Sequence, residues 1–303
     1  MSKYESNINL SDKNSTFTKI FERVQEKSEV LDVGCASGYF AEILSKEKNC
    51  TVIGIEIDER DAERATRFCK FVLKADIESL DWEEKLKNKK FDHIIFADVL
   101  EHLKDPGAVL KRVKRFLKPK GTILISIPNI AHVSIRLELL QGKFIPEEIG
   151  ILDNTHLKYF TRDSFINLAQ TAGYAIRSFS ASIFDFPEAK IKEILLSSGF
   201  SPEQKAVEIL SSPDAAAFQY FFEVSPGITK LKQTRESEKP IYIVKDFIKS
   251  IEEEHRKFSE EIKTTRALEN ENKNLKNKIV QMEWQMRNPL SYWAEKIKRR
   301  IRR

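Results

Sequence analysis

The chain reads as a doubly wound α/β domain with a mostly parallel sheet, followed by a long helical extension. Three observations lead there. Short apolar strands alternate with amphipathic helical stretches from about residue 20 to 227. The stretch VLDVGCASGYF at 30–40 ends an apolar strand on Asp32 and turns through Gly34 and Gly38 into a helix starting near Tyr39. Beyond Pro226-Gly227 the composition becomes polar and charged, with apolar residues spaced by threes and fours.

The elements follow in order. Glycines in the first turn let a backbone come close to a ligand, and the helix N-terminus behind it offers unpaired N–H donors. AEILSKEKN then forms a short amphipathic helix, and TVIGIEID a second strand with Glu56 near its end, 22 residues past Gly34. A carboxylate at the end of a second strand is an acceptor matched to a ribose diol; a solvated strand-end acid is the bland alternative. FVLKADIESLDW supplies a third strand closed by Asp76, placed to accept from an exocyclic amine. FDHIIFADVLEHL is the fourth strand. Asp105-Pro106 opens the next helix as N-cap and first-turn proline, and GTILISIPN is the fifth strand. The first turn is spaced Gly-x-x-x-Gly, not Gly-x-Gly-x-x-Gly, and lacks the Lys-Ser/Thr of a P-loop. A dinucleotide dehydrogenase stays open as the rival.

This series resembles the class I S-adenosylmethionine-dependent methyltransferases over roughly residues 20–227. The resemblance implies a seven-stranded sheet and S-adenosylmethionine as cofactor. Carried over by position, Gly34 and Gly38, with Cys35 between them, shape the turn around the methionine moiety. Asp32 orients that moiety, Glu56 holds the ribose, Asp76 and Ile77 meet the adenine, and Asp98 completes the cofactor-binding set. Cys35 reads equally as a small space-filler.

Methyl transfer to a hydroxyl needs a base, or a metal that lowers the hydroxyl's pKa. Among the five histidines, His93 and His255 read as structural, while His102, His132 and His156 follow strand ends. If Asp98-x-x-Glu101-His102 is helical, its three side chains share one face. With His156 from DNTHLKYFTRD they form a candidate metal set, Asp98, Glu101, His102 and His156, whose oxygen-rich character suits Mg²⁺ or Mn²⁺. His156, His132 and Asp153 are the candidate catalytic residues. The two pieces resemble metal-assisted 2′-O-methyltransferases of small-RNA ends and some quinone-pathway O-methyltransferases, although Asp98 is shorter than the Glu more usual there. The alternative is that Glu101 and His102 bond the backbone and shape the pocket floor. No Asn-Pro-Pro-Tyr or Pro-Cys follows the fourth strand, which argues against amino-methylating DNA enzymes and cytosine C5 enzymes. Three cysteines without CxxC spacing suggest a reduced, cytoplasmic protein with no zinc ribbon.

The block SIPNIAHVSIRLELLQGKFIPEEIGILDNTHLKYFTRDSF resembles methyltransferases of bacterial surface-polysaccharide biosynthesis. That resemblance implies a sugar hydroxyl as acceptor, on a glycan or sugar nucleotide, with glycosyltransferases as associates. The rivals are a quinone-like or other lipid-soluble small molecule, an RNA 2′-hydroxyl, and a scaffold without turnover. Residues 184–215 read as two short inserted helices covering the acceptor site.

The domain plan is 1–227 for the catalytic domain, 228–240 for a linker, 241–287 for a coiled coil and 288–303 for a basic amphipathic helix. From Val244 to Met286 the four-three spacing has one three-three step, at Thr265–Leu268, and predicts self-association. Residues 289–303 carry six basic residues and one acid, a net +5 that equals the charge of the whole chain. With Trp293 on an apolar face, this segment reads as an anchor to an anionic membrane surface; nucleic-acid binding is the weaker alternative. No spanning segment or signal-peptide core is evident, so the expected location is cytoplasmic, peripheral to the inner face of the cell membrane.

Overall fold

A computed structural model describes residues 8–227, Arg256, Glu260, Thr265, 271–280 and Met282. The chain divides into two units, Met1–Thr229 and Lys230–Arg303.

In the first unit, α1 (Thr16–Arg23) precedes β1 (Glu29–Val33), whose EVLDV is buried from its second residue on. Then come α2 (Tyr39–Lys48), β2 (Thr51–Glu56), α3 (Glu59–Ala65), β3 (Phe71–Lys74), α4 (Asp81–Lys85) and β4 (Phe91–Ala97). A 3-10 turn at Leu100–His102 leads to α5 (Pro106–Val113), β5 (Leu117–Pro128) and α6 (Val133–Leu140). After a long loop follow α7 (Arg162–Thr171), β6 (Tyr174–Ile183), α8 (Glu188–Ser197), α9 (Gln204–Leu210), α10 (Pro213–Ala216) and β7 (Ala217–Pro226).

The caps explain several boundaries. Asp58 accepts from Asp61 N–H at 3.0 Å to open α3, and Asp105 accepts from Ala108 N–H at 2.9 Å to open α5. Thr161 and Ser164 form a reciprocal box at the start of α7. Asn49, in the left-handed region at φ 54°, ends α2.

The sheet order is β3-β2-β1-β4-β5-β7-β6. The strands β1 to β5 pair in parallel, and β7 runs antiparallel to both β5 and β6, so the seven-stranded sheet is mixed. Near-continuous apolar runs such as ILISI suit strands buried on both faces. One face packs Trp82, Phe91, Phe96, Phe116, Phe165 and Phe222; the other packs Ile20, Phe40, Leu44 and Phe221. Between β6 and β7 lie three helices, α10 being a single turn that the sequence reading did not separate. β3 stops at Lys74, two residues short of Asp76.

In the second unit, residues 271–280 are helical and exposed. The linker 228–240, the basic segment 288–303 and the rest of the expected coiled coil lie outside the described residues, apart from the single positions named above. Among the described residues, no helix is long and apolar enough to cross a membrane.

Candidate functional site

Strand β1 sits between β2 and β4, so the chain leaves it toward one side of the sheet and later returns on the other. The crevice outside the C-terminal ends of β1 and β4 is the place where such folds bind ligands. The turn after β1 is built for close approach. Gly34 has φ +70°, and a Cβ there would lie 2.7 Å from Val99 Cγ2. Gly38, at φ +81°, is the N-cap of α2, and a Cβ there would lie 2.8 Å from Ala65 Cα. Neither place accepts a side chain without strain.

Two buried carboxyls line this turn. Glu56 Oε2 accepts from Ala36 N–H at 2.8 Å, and its Oε1 accepts from the N–H groups of Ile57 and Asp58 at 2.8 and 2.9 Å. Glu56 therefore organises the turn as well as being the candidate for ribose. Asp32 is buried, and burial together with the Glu56 carboxylate pushes its pKa up to about 7. The Cys35 side chain is turned into the core, with Sγ 2.5 Å from the point a Cβ on Gly54 would occupy. Its part in the turn is thus played by backbone, and the hydrogen bond to Cys69 together with burial raises its thiol pKa. Asp76 is exposed in the turn after β3 and accepts from Glu78 N–H at 2.8 Å, while Ile77 packs in the core.

The acceptor-side expectation needs a correction. The segment after β4 is not a regular helix: Asp98 is in the left-handed region at φ 55°, and a single 3-10 turn follows. Asp98, Glu101 and His102 therefore do not lie on one helical face. The Asp98 carboxylate is held elsewhere, accepting from Ser126 Oγ–H at 2.7 Å and from Gln219 Nε2–H at 2.9 Å. Burial raises its pKa, and those two bonds oppose the rise. The residues that do converge are Glu101, His102 and His156, which each offer a ligand atom within 4.8 Å of the others. The two imidazole centroids are also 4.8 Å apart.

The backbone brings these three together. Glu101 C=O accepts from the N–H groups of Leu157 and Lys158 at 2.8 and 2.9 Å, stapling the 3-10 turn to the loop that carries His156. His102 Nδ1 lies 3.3 Å from the Thr155 carbonyl, and His156 Nδ1 lies 3.1 Å from the Ile151 carbonyl. A carbonyl only accepts, so in each neutral ring Nδ1 carries the proton and Nε2 the lone pair. Glu101 is fully buried, and neither of its carboxylate oxygens has a hydrogen-bond partner. Burial, with Asp98 nearby, raises its pKa well above the ordinary range.

Two candidates take supporting places. Asp153 Oδ1 accepts from Thr155 N–H at 2.8 Å and from its Oγ1–H at 2.6 Å, and Thr155 Oγ1 lies 3.1 Å from His102 Nδ1. Asp153 thus orders the loop and, through Thr155, His102. His132 is buried as the N-cap of α6. Its Nδ1 meets Ser134 Oγ at 2.8 Å and its Nε2 meets the Phe184 carbonyl at 3.3 Å, so both ring nitrogens are engaged inside the fold. Burial lowers its pKa. Ser126, Gln219 and Thr155 were absent from the sequence reading. The first two were signalled there, as lone polar residues in the apolar runs ILISIP and AFQYFFEV.

The loop that carries His156 exposes apolar side chains among charged ones such as Lys143, Glu147 and Lys158. Phe144, Ile145, Ile149, Leu157 and Tyr159 are exposed, with Tyr159 6.2 Å from the His156 ring and 5.8 Å from that of Phe144. A cavity of about 350 Å³ lies between α6, the 141–147 stretch and α8, its lining mixing Leu137, Ile145 and Ile194 with Glu138, Lys143 and Glu147.

Comparison with known proteins agrees with this architecture. A family model described as a methyltransferase domain matches residues 10–178. The ubiquinone biosynthesis O-methyltransferase of Pasteurella multocida is 32% identical over 128 residues, covering 38% of this chain and 52% of that protein. The protein of the same description from Bradyrhizobium diazoefficiens is 31% identical over 117 residues, covering 38% and 46%. The chain spans about half the length of the curated relatives it matches. Among solved structures, an S-adenosylmethionine-dependent methyltransferase from Archaeoglobus fulgidus superposes with a TM-score of 0.47 at 19% identity, covering 71% of this chain and 94% of that one. With a glycine-lined crevice at the sheet's switch point and the family model covering more than half its length, the chain belongs to the methyltransferase-domain family, and its cosubstrate is S-adenosylmethionine.

Proposed function

We propose that the protein is an O-methyltransferase acting on a small, lipid-soluble phenolic acceptor at a cation held by Glu101, His102 and His156. The observation that carries this reading is Glu101, a fully buried carboxylate with no hydrogen-bond partner beside two histidines. An unpaired buried charge of that kind is costly unless a cation or proton meets it. The histidines are pre-oriented as ligands usually are, with Nδ1–H donated to a backbone carbonyl. One carboxylate and two imidazoles are richer in nitrogen than the set expected from sequence, and this moves the preference from Mg²⁺ toward Mn²⁺, Fe²⁺ or Zn²⁺.

S-adenosylmethionine supplies an electrophilic sulfonium methyl. A divalent cation in the set would lower the pKa of the acceptor hydroxyl. The chain's own residues do the remaining work. Gly34 and Gly38 leave room for the donor, and Glu56 holds the turn through Ala36. Asp153 and Thr155 fix the His102 ring, and Ile151 fixes that of His156. Tyr159 and Phe144 give a flat acceptor an aromatic rim.

The sugar hydroxyl implied by the polysaccharide resemblance finds no support in the matched relatives. The lipid-soluble alternative stands nearer to proteins named for ubiquinone biosynthesis. The test is methyl transfer from S-adenosylmethionine to an ortho-diphenol with an isoprenoid tail, beside a nucleoside-diphosphate sugar. Transfer to the diphenol is expected, falling at least about tenfold in EDTA and returning with Mn²⁺. An undiminished rate in EDTA would make His156 a base instead, and transfer to the sugar alone would reinstate the glycan.

A further inference from the structure

In the second unit, the helix over 271–280 leaves Leu275 49% and Ile279 50% exposed, and Met282 beyond it is 54% exposed. Four-three spacing places the three on one stripe. An exposed apolar stripe on a helix is what a partner helix covers.

We infer that the helix over 271–280 forms a parallel, in-register coiled coil with a second copy of this chain. Writing the heptad a to g, the spacing puts Thr265, Asn272, Ile279 and Met286 at a, and Leu268, Leu275 and Met282 at d. Ile at a with Leu at d favours two parallel strands. Asn272 sets the orientation. In a parallel pair it faces Asn272 of the second copy, amide to amide, and both donors and acceptors are met. An antiparallel pair sets it against a leucine or methionine at d, with its amide unsatisfied.

The flanking charges agree. Glu271 and Lys278 occupy g, and Lys276 and Glu283 occupy e. In a parallel pair each g residue meets the e residue five positions later on the second copy. Glu271 then meets Lys276, and Lys278 meets Glu283, giving four opposite-charge pairs and no like-charge pair. The occupant is thus the chain itself.

The experiment uses full chains. Sedimentation should give twice the 35.1 kDa of the chain. A K276E/K278E variant and an E271K/E283K variant each place like charges at all four contacts. Each should self-associate about tenfold or more weakly than the parent, and an equimolar mixture should recover a heterodimer. For orientation, Ile279→Cys should cross-link to its own copy under oxidised glutathione, while Asn277→Cys at the outward f position should not. The native cysteines Cys35, Cys50 and Cys69 are buried and add little background. A monomer or trimer by sedimentation, charge variants that pair as well as the parent, a mixture that stays monomeric, or no cross-link at 279 would each overturn the inference. A monomer would assign the stripe to a different protein.

Discussion

Asp32 gives the cofactor crevice a pH signature. Burial and the neighbouring Glu56 carboxylate raise its pKa from 3.8 to about 7. At 1.36 kcal/mol per unit, that interval makes ionising Asp32 in the ligand-free protein cost roughly 4 kcal/mol. The sign for stability follows from the raised value. The contribution is fully present below 3.8 and is lost as pH rises through about 7, because the unfolded chain ionises first. S-adenosylmethionine brings a sulfonium and an ammonium, so its binding favours the ionised carboxylate. Its dissociation constant should therefore fall about tenfold per pH unit between roughly pH 5 and 7, then level off. Titration calorimetry across pH 5.5 to 8 measures this directly. Asp32→Asn should flatten the profile, weaken binding at pH 8, and stabilise the ligand-free protein there. A wild-type affinity that stays constant across this range, or an unchanged slope in the variant, would show that Asp32 does not face the cationic ligand.

Two further outcomes rest on the same geometry. Glu101→Met should lower bound metal, measured by elemental analysis, yet raise the melting temperature of the EDTA-treated protein at pH 7.5. Relief of an unsatisfied buried carboxylate is worth about 1–3 kcal/mol, or roughly 2–4 °C for each of those. Gly34→Ala meets Val99 Cγ2 at 2.7 Å and a φ of +70°. It should lower S-adenosylmethionine affinity by about five- to thirtyfold with circular dichroism nearly unchanged, from a backbone cost of about 1–2 kcal/mol.

What could be read from sequence is mostly what is local. Asp32, Gly34 and Gly38 lie within seven residues, and Glu56 ends the adjacent strand, so a strand–turn–helix grammar reaches all of them. The same grammar placed Pro106 at a helix start. It failed at Asp98, where a helical reading of 98–102 assumed an i, i+3, i+4 face. A left-handed residue followed by a 3-10 turn rotates Asp98 away, and its partners Ser126 and Gln219 are 28 and 121 residues distant. His132 shows a related limit. Its position after a strand end suggested chemistry, while its bond to Phe184 comes from a segment 52 residues on. The proposed acceptor side was least readable because the loop that carries His156 follows no spacing rule.

The segment 98–102 joins the two halves of the site. Val99 fills the space a side chain on Gly34 would need, so it braces the cofactor turn. Asp98, beside it, is locked by Ser126 on β5 and Gln219 on β7, with Gln219 Oε1 accepting from Thr16 Oγ1 of α1 at 3.3 Å. Glu101 and His102 belong to the proposed ligand set, and the Glu101 carbonyl holds the loop bearing His156. One short piece of backbone, pinned by two strands and a helix, thus sets the spacing between the glycine turn and the three ligands. Methyl transfer depends steeply on the alignment of donor and acceptor, and misplacement by about 1 Å can cost roughly a hundredfold. That demand accounts for the strained, buried and fully engaged Asp98 at the junction: it holds position for groups on either side.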